Sequence, residues 1–111
     1  MNTKLLSDYG LNVNQTEQFE KYFELLIDWN EKINLTAITE ENDVLTKHFL
    51  DSLMCFESSV IEDGCSVIDV GTGAGFPGLV MKIAKPGIKL TLLDSLAKRL
   101  NFLQTVCEET K

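Results

Sequence analysis

Val67-Ile68-Asp69-Val70-Gly71-Thr72-Gly73-Ala74-Gly75-Phe76-Pro77-Gly78 is the stretch on which the fold turns. Its opening residues, with Ser66, are β-branched, few and followed at once by glycines, which reads as a buried strand. Pro77 suits the first turn of a helix, where its missing N–H would have had no partner, and residues 79–84 continue that helix. Lys85-Pro86-Gly87 is a turn, and Leu90-Thr91-Leu92-Leu93 is a second apolar strand. Ser95 is then expected to cap a helix with Leu96, Leu100, Leu103 and Cys107 on its apolar face. Residues 65–111 therefore predict β-α-β-α with a glycine-rich first turn, which implies parallel strands joined by a right-handed crossover.

Upstream the period changes from two to nearly four. Asn14 followed by Glu17 reads as a capping box, and apolar residues recur at Phe19, Tyr22, Phe23, Leu26, Ile27 and Ile33, a helix of about five turns. Thr39 is the expected cap of a second helix whose Leu45, Phe49, Leu53 and Phe56 line one face. Gly64 closes this region. The expected class is α/β, with a helical segment over 1–64 and an α/β segment over 65–111.

The composition fits a soluble globular domain. Of 111 residues, 44% are hydrophobic, and 7 glycines, 2 prolines and 3 cysteines exclude collagen-like and disulfide-dense classes. No run approaches the roughly 18 apolar residues of a membrane span. The first eight residues lack the basic and apolar pattern of a signal peptide, so the expected setting is the cytoplasm. Cys55, Cys65 and Cys107 are odd in number and far apart, and one histidine accompanies them. They read as small hydrophobes in or near a core, and no metal site is expected.

The net charge of -7 argues against a nucleic-acid partner only if it is evenly spread. It is not. Residues 1–64 hold 13 acids against four bases, whereas residues 65–111 hold four acids against six bases. A solvated helical surface explains the acidic half, and the half with the glycines is mildly basic.

Glycines at the end of a strand let backbone approach a ligand, and the following helix directs N–H groups at its anionic part. Asp94 follows Gly71 by 23 residues, the place of a ribose-binding carboxylate in a nucleotide-binding unit. Gly73-x-Gly75-x-x-Gly78 satisfies the dinucleotide pattern literally, which keeps NAD open. Counted from Gly71, however, the sixth position is Phe76, not a packing glycine. Asp69 is also a poor neighbour for pyrophosphate. A carboxylate there suits S-adenosylmethionine, which carries an amine, a carboxylate and a ribose diol but no phosphate. A purely structural glycine turn is the third reading.

With their flanks, these residues resemble the bacterial 16S ribosomal RNA guanine-N7 methyltransferases, the glucose-inhibited division protein B family. The blocks that carry the resemblance are Trp29-Asn30-Glu31-Lys32-Ile33-Asn34-Leu35-Thr36-Ala37-Ile38, His48-Phe49-Leu50-Asp51-Ser52-Leu53, the stretch from Asp69 through Gly78, and Thr91-Leu92-Leu93-Asp94-Ser95 with Lys98-Arg99 and Phe102-Leu103. The resemblance implies N-terminal helices on the start of a Rossmann-like methyltransferase domain, apparently truncated because family members are about twice as long. It implies S-adenosylmethionine as donor and a guanine N7 of 16S rRNA in the small ribosomal subunit as acceptor. Gly71 and Phe76 look like cofactor contacts, Asp69, Gly73 and Gly75 belong to the same pocket, and Asp94 is the ribose ligand.

Guanine N7 has a free lone pair, so alignment rather than a general base is needed, and no catalytic acid or base is expected. His48 reads either as part of a polar cluster bordering the cofactor or as an imidazole tied to Asp51 or Ser52. Trp29 reads as an interface residue before a base-stacking one, and Asn30 and Asn34 as organisers of the helix end. Lys98 and Arg99 suit RNA phosphate and a solvated helix equally well. Two strands leave both sheet edges unpaired, so the chain is expected to dimerise or swap elements. The alternatives that stay open are an NAD-binding oxidoreductase fragment and a non-catalytic truncated module.

Overall fold

The computed structural model describes residues 3–58 and 61–110; Lys111, at the end of the expected last helix, lies outside them. After a short helix α1 (Thr3–Asp8), the long helix α2 spans Val13–Asn30. Its capping box lies two residues earlier than Asn14 and Glu17. Asn12 Oδ1 accepts from the Gln15 N–H, and Gln15 Oε1 accepts from the Asn12 N–H, both at 2.8 Å. The earlier start has a physical cause. Gln15 Nε2 also donates to the carbonyls of Ile83 and Ala84, at 3.0 and 3.1 Å, which a glutamate cannot do.

The second helical region also starts differently. Glu40, not Thr39, caps it, its longer side chain accepting from the Asp43 N–H at 2.9 Å. Helix α3 (Glu41–Asp43) runs into a π-helical stretch (Val44–Leu50), then α4 (Asp51–Leu53) and α5 (Cys55–Ser58). Leu45, Phe49 and Leu53 are buried as expected, and Phe56 is half-buried. The wide turn rotates successive residues less about the axis, so both His48 and Phe49 reach Phe76.

Strands β1 (Ser66–Val70) and β2 (Lys89–Leu93) pair in parallel, from Ser66 opposite Lys89 to Val70 opposite Leu93. Helix α6 (Gly78–Ala84) lies between this sheet and α2 and α4. The chain is thus mixed α/β around a small parallel sheet. Neither strand is buried on both faces. Val67, Asp69, Leu90 and Leu92 face the helices, whereas Ile68 and Val70 are 62% and 76% exposed on a face no element covers among the described residues.

Helix α7 (Ala97–Glu109) differs from expectation at both cap and face. Ser95 makes no cap; Asp94 Oδ1 accepts from the Leu96 N–H at 3.0 Å and forms the turn before the helix. Phe102, Leu103 and Val106 are buried, while Leu96, Leu100 and Cys107 are exposed, because α7 packs against α2 rather than against the second face of the sheet. Cys65 is exposed as well, and Cys55 alone of the three cysteines is half-buried.

One hydrophobic cluster joins both halves of the chain: Phe19, Tyr22, Leu26, Leu45 and Phe49 from the first meet Leu79, Val80, Phe102 and Val106 from the second. Each such side chain stabilises by roughly 1.5–3 kcal/mol relative to exposure. Trp29 packs against Phe102, ring centroids 5.9 Å apart, at the α2–α7 interface. The helical segment therefore fixes the positions of the elements on either side of the glycine turn.

Candidate functional site

The turn between β1 and α6 begins where the two strands end. The N–H groups of Gly71 and Thr72 donate to the Leu93 carbonyl at 2.8 and 3.1 Å, tying the turn to the end of β2. Gly73 donates to Asp94 Oδ2 at 2.9 Å. Gly75 and Phe76 both donate to the Thr72 carbonyl, at 3.0 and 3.3 Å. Gly78, the first residue of α6, donates to Asp69 Oδ2 at 2.9 Å.

This arrangement changes the expected use of the helix N-terminus. The chain's own Asp69 occupies it, and the buried Thr72 hydroxyl donates to the same Oδ2 at 2.8 Å. The N–H groups of Gly71, Thr72, Gly73, Gly75, Phe76 and Gly78 all have internal partners. A pyrophosphate would find neither those donors nor a site free of negative charge. A ligand whose anionic group is a single carboxylate loses less by this arrangement than a pyrophosphate does.

The glycines divide into two kinds. Gly71 and Gly73, at φ +69° and +59°, have open space where a side chain would project. Gly75, at φ +100°, has its missing side chain's place filled by the Tyr22 hydroxyl, Leu79 and Leu103. Gly78 lets α6 approach β2: a Cβ there would lie 2.7 Å from Leu92 Cδ2 and 2.8 Å from Asp69 Oδ2. The close helix-to-strand contact that Phe76 could not provide is thus made by Gly78.

Asp94 is almost wholly enclosed, its side chain 2% exposed, beside an Arg99 side chain that is 36% exposed. Arg99 Nη1 lies 3.4 and 3.5 Å from its two oxygens. The Leu96 N–H, then the Gly73 N–H, hold its carboxyl below the usual 3.8, helped by Arg99 and opposed by burial. It is ionised and aimed at the turn. Within the one turn Asp94 is thus hydrogen-bonded to Gly73, and Asp69 to Thr72 and Gly78.

Phe76 faces the other way. Its ring stacks on Tyr22 at 5.5 Å and lies parallel to His48 at 4.3 Å and 6°. His48 is tied neither to Asp51 nor to Ser52: its Nε2 lies 2.9 Å from Thr36 Oγ1, which also accepts from the Ile38 N–H at 3.1 Å. Burial lowers the imidazole pKa from 6.5, against an opposing pull from Asp51. Asn30 organises the intervening loop by accepting from the N–H groups of Leu35 and Thr36 at 2.8 and 3.0 Å.

Tyr22 is the contributor that the sequence pattern assigns only to the core. Its hydroxyl donates to the Ala74 carbonyl, and burial, then Cys107 and Asp69, raises its pKa well above 10.0. Its place on the buried stripe gives no hint of a bond to the turn. Thr72, three residues after Asp69, is legible as a hydroxyl in reach of a carboxylate. A depression of about 360 Å³ bounded by Tyr9, Leu11, Leu53, Phe56 and Ile61 contains none of these residues, and the converging groups at the turn mark the better candidate.

Known proteins similar to this chain are rRNA methyltransferases. Residues 15–111 match the family described as GidB, rRNA small subunit methyltransferase G. Among curated proteins, the ribosomal RNA small subunit methyltransferase G of Alkaliphilus oremlandii is 58% identical over 106 residues, covering 92% of this chain and 44% of the relative. That of Lactococcus lactis subsp. lactis is 55% identical, covering 92% and 43%, and that of Streptococcus gordonii 51%, covering 96% and 46%. The chain spans under half the length of these relatives.

Proposed function

The chain belongs to the rRNA small subunit methyltransferase G family, and from that premise we propose that it carries the S-adenosylmethionine-binding turn of an enzyme that methylates N7 of a guanine in 16S rRNA. The internal partners of six N–H groups of the turn, those of Gly71, Thr72, Gly73, Gly75, Phe76 and Gly78, are the observation that carries the choice of cofactor. They leave no cradle for pyrophosphate, and S-adenosylmethionine needs none. On this reading the fold is the start of a Rossmann-like methyltransferase domain, residues 1–64 are its helical support, and its setting is the cytoplasm, on the small ribosomal subunit.

S-adenosylmethionine, when bound, supplies an electrophilic sulfonium methyl. On this reading Gly71 and Gly73 give it an open backbone edge, and Asp94, at the end of β2, is its ribose ligand, accepting a ribose hydroxyl in exchange for an internal donor. Asp69 keeps negative charge near the cofactor amine. Gly75 and Phe76 belong to the same site and hold the turn against Tyr22 and His48. The chain's contribution is to bind and orient; guanine N7 already has its lone pair, so no proton need be removed.

Calorimetry of the chain with S-adenosylhomocysteine and with NAD tests the cofactor. Binding of S-adenosylhomocysteine is expected, weakened by Asp94→Ala, and binding of NAD alone overturns the reading. NAD remains the second reading because Gly78 makes the helix-to-strand contact of the dinucleotide pattern. Methyl transfer to 16S rRNA, compared between this chain and a relative of full length, tests the activity. The open outer edges of β1 and β2 add the expectation that the chain pairs with a second copy or swaps elements. A monomer in sedimentation that unfolds cooperatively overturns that part.

A further inference from the structure

Arg99, the ion-pair partner of Asp94, also lines a depression of about 240 Å³ together with Lys32, Ile33, Asn34, Leu96 and Lys98. This depression joins the loop after α2 to the first turns of α7. Three of its six lining residues are cationic in a chain of net charge -7. Among the described residues the ammonium groups of Lys32 and Lys98 meet no carboxylate within ion-pair distance, and of the three cations only Arg99 has an ion-pair partner, Asp94. The contact to Asp94 uses Arg99 Nη1 and leaves the rest of the guanidinium fork available. Among the same residues the Asn34 side chain has no internal hydrogen bond either, so the wall offers donors with no internal acceptor to satisfy them. Leu96, 49% exposed, and Ile33 give it an apolar floor.

Such a wall is poor at holding a cation or an apolar ligand and well suited to a phosphodiester. Arg presents a fork to phosphate oxygens and Lys a mobile point charge. Building on the RNA methyltransferase reading, we propose that this depression holds the RNA backbone, with Lys32, Lys98 and Arg99 as phosphate contacts. Arg99 connects the two sites. Through Asp94 it abuts the Gly73 hydrogen bond, so a strand seated here lies next to the donor turn. Elsewhere on residues 1–64 acids far outnumber bases, which repels RNA from the surface they form.

The test is fluorescence anisotropy of the whole chain with a short labelled single-stranded RNA over a series of salt concentrations, alongside calorimetry with S-adenosylhomocysteine. Three phosphate contacts predict a slope of log affinity against log salt of about -2, each contact contributing about 0.7 for a single strand. Lys32→Ala and Lys98→Ala are expected to weaken RNA binding about 2- to 5-fold each, the range of exposed ion pairs, and to flatten the slope by about 0.7. Lys98→Arg should restore it. Lys21→Ala, outside the depression, should change neither. These side chains are exposed or half-exposed, so unchanged melting and unchanged S-adenosylhomocysteine affinity accompany the expected result.

RNA affinity and slope identical in Lys32→Ala, Lys98→Ala and the unaltered chain overturn the site while leaving the cofactor reading intact. So does binding of S-adenosylhomocysteine with no RNA binding, or binding of inorganic phosphate without RNA. Absence of S-adenosylhomocysteine binding with retained, lysine-dependent RNA binding supports the depression and overturns the cofactor reading instead.

Discussion

The outer and inner halves of the glycine turn are built from the same residue for different reasons. Gly71 and Gly73 have positive φ and empty space beyond them, so backbone geometry alone requires glycine there. Gly75 and Gly78 lie against Tyr22, Leu79, Leu92 and Asp69, so the lack of a side chain is what lets α2 and β2 approach. The outer pair leaves room for a ligand; the inner pair makes room for the protein. A spacing of glycines counts both kinds alike, which is why the dinucleotide and methyltransferase patterns overlap on this stretch.

Substitution separates the halves. Gly75→Ala adds a methyl group where the Tyr22 hydroxyl and Leu79 already sit, at a backbone angle unfavourable to any side chain. The expected loss is about 2–5 kcal/mol of folding stability, from overpacking and strain together, read by denaturant unfolding. A loss below that of Gly73→Ala breaks the distinction.

Tyr22→Phe sharpens it. Removing the hydroxyl leaves the Ala74 carbonyl without its donor and costs about 1–3 kcal/mol. In that background Gly75→Ala should cost less than in the unaltered chain, because the first atom a new Cβ meets is gone. A double-mutant cycle reads the coupling, and strict additivity rejects the contact as the reason for glycine at 75.

For the outer pair, Gly73→Ala meets no neighbour and carries only the left-handed backbone cost, about 1–2 kcal/mol. Stability should fall by that amount in unfolding while S-adenosylhomocysteine affinity falls more than in Tyr22→Phe. Affinity that follows stability alone in both variants removes the functional difference between the halves.

The same contrast marks what the sequence could disclose. Both strands, the helix between them and the apolar stripe of α2 follow from local periodicity, and the glycines and Asp94 stand out by spacing. Caps are displaced where one side chain serves two elements at once. Gln15 closes the end of α6 as well as the start of α2, and Asp94 replaces Ser95 because it also holds Gly73. The exposed face of Ile68 and Val70 was illegible because a run of apolar residues does not say how many faces are covered. Tyr22 and His48 reach the turn through tertiary contacts across 52 and 28 positions of the chain, distances at which no periodicity operates.

His48 offers the smallest expected effect and the cleanest probe, because it is the only histidine. It packs on Phe76, whose ring also stacks on Tyr22, so its titration reports on the inner half. Burial lowers its pKa in the folded chain below 6.5, so the unfolded chain takes up its proton first as pH falls. Its contribution to stability is therefore complete above 6.5 and is lost as pH falls through the folded value. The imidazole resonances should titrate with a midpoint below 6.5. Asp51→Asn should lower the midpoint further by removing the charge that opposes the shift, and Phe76→Ala should return it toward 6.5 by uncovering the ring. A midpoint that Phe76→Ala leaves in place would mean that the stacked ring does not bury the imidazole, and the inner half would then be held by Tyr22 without His48.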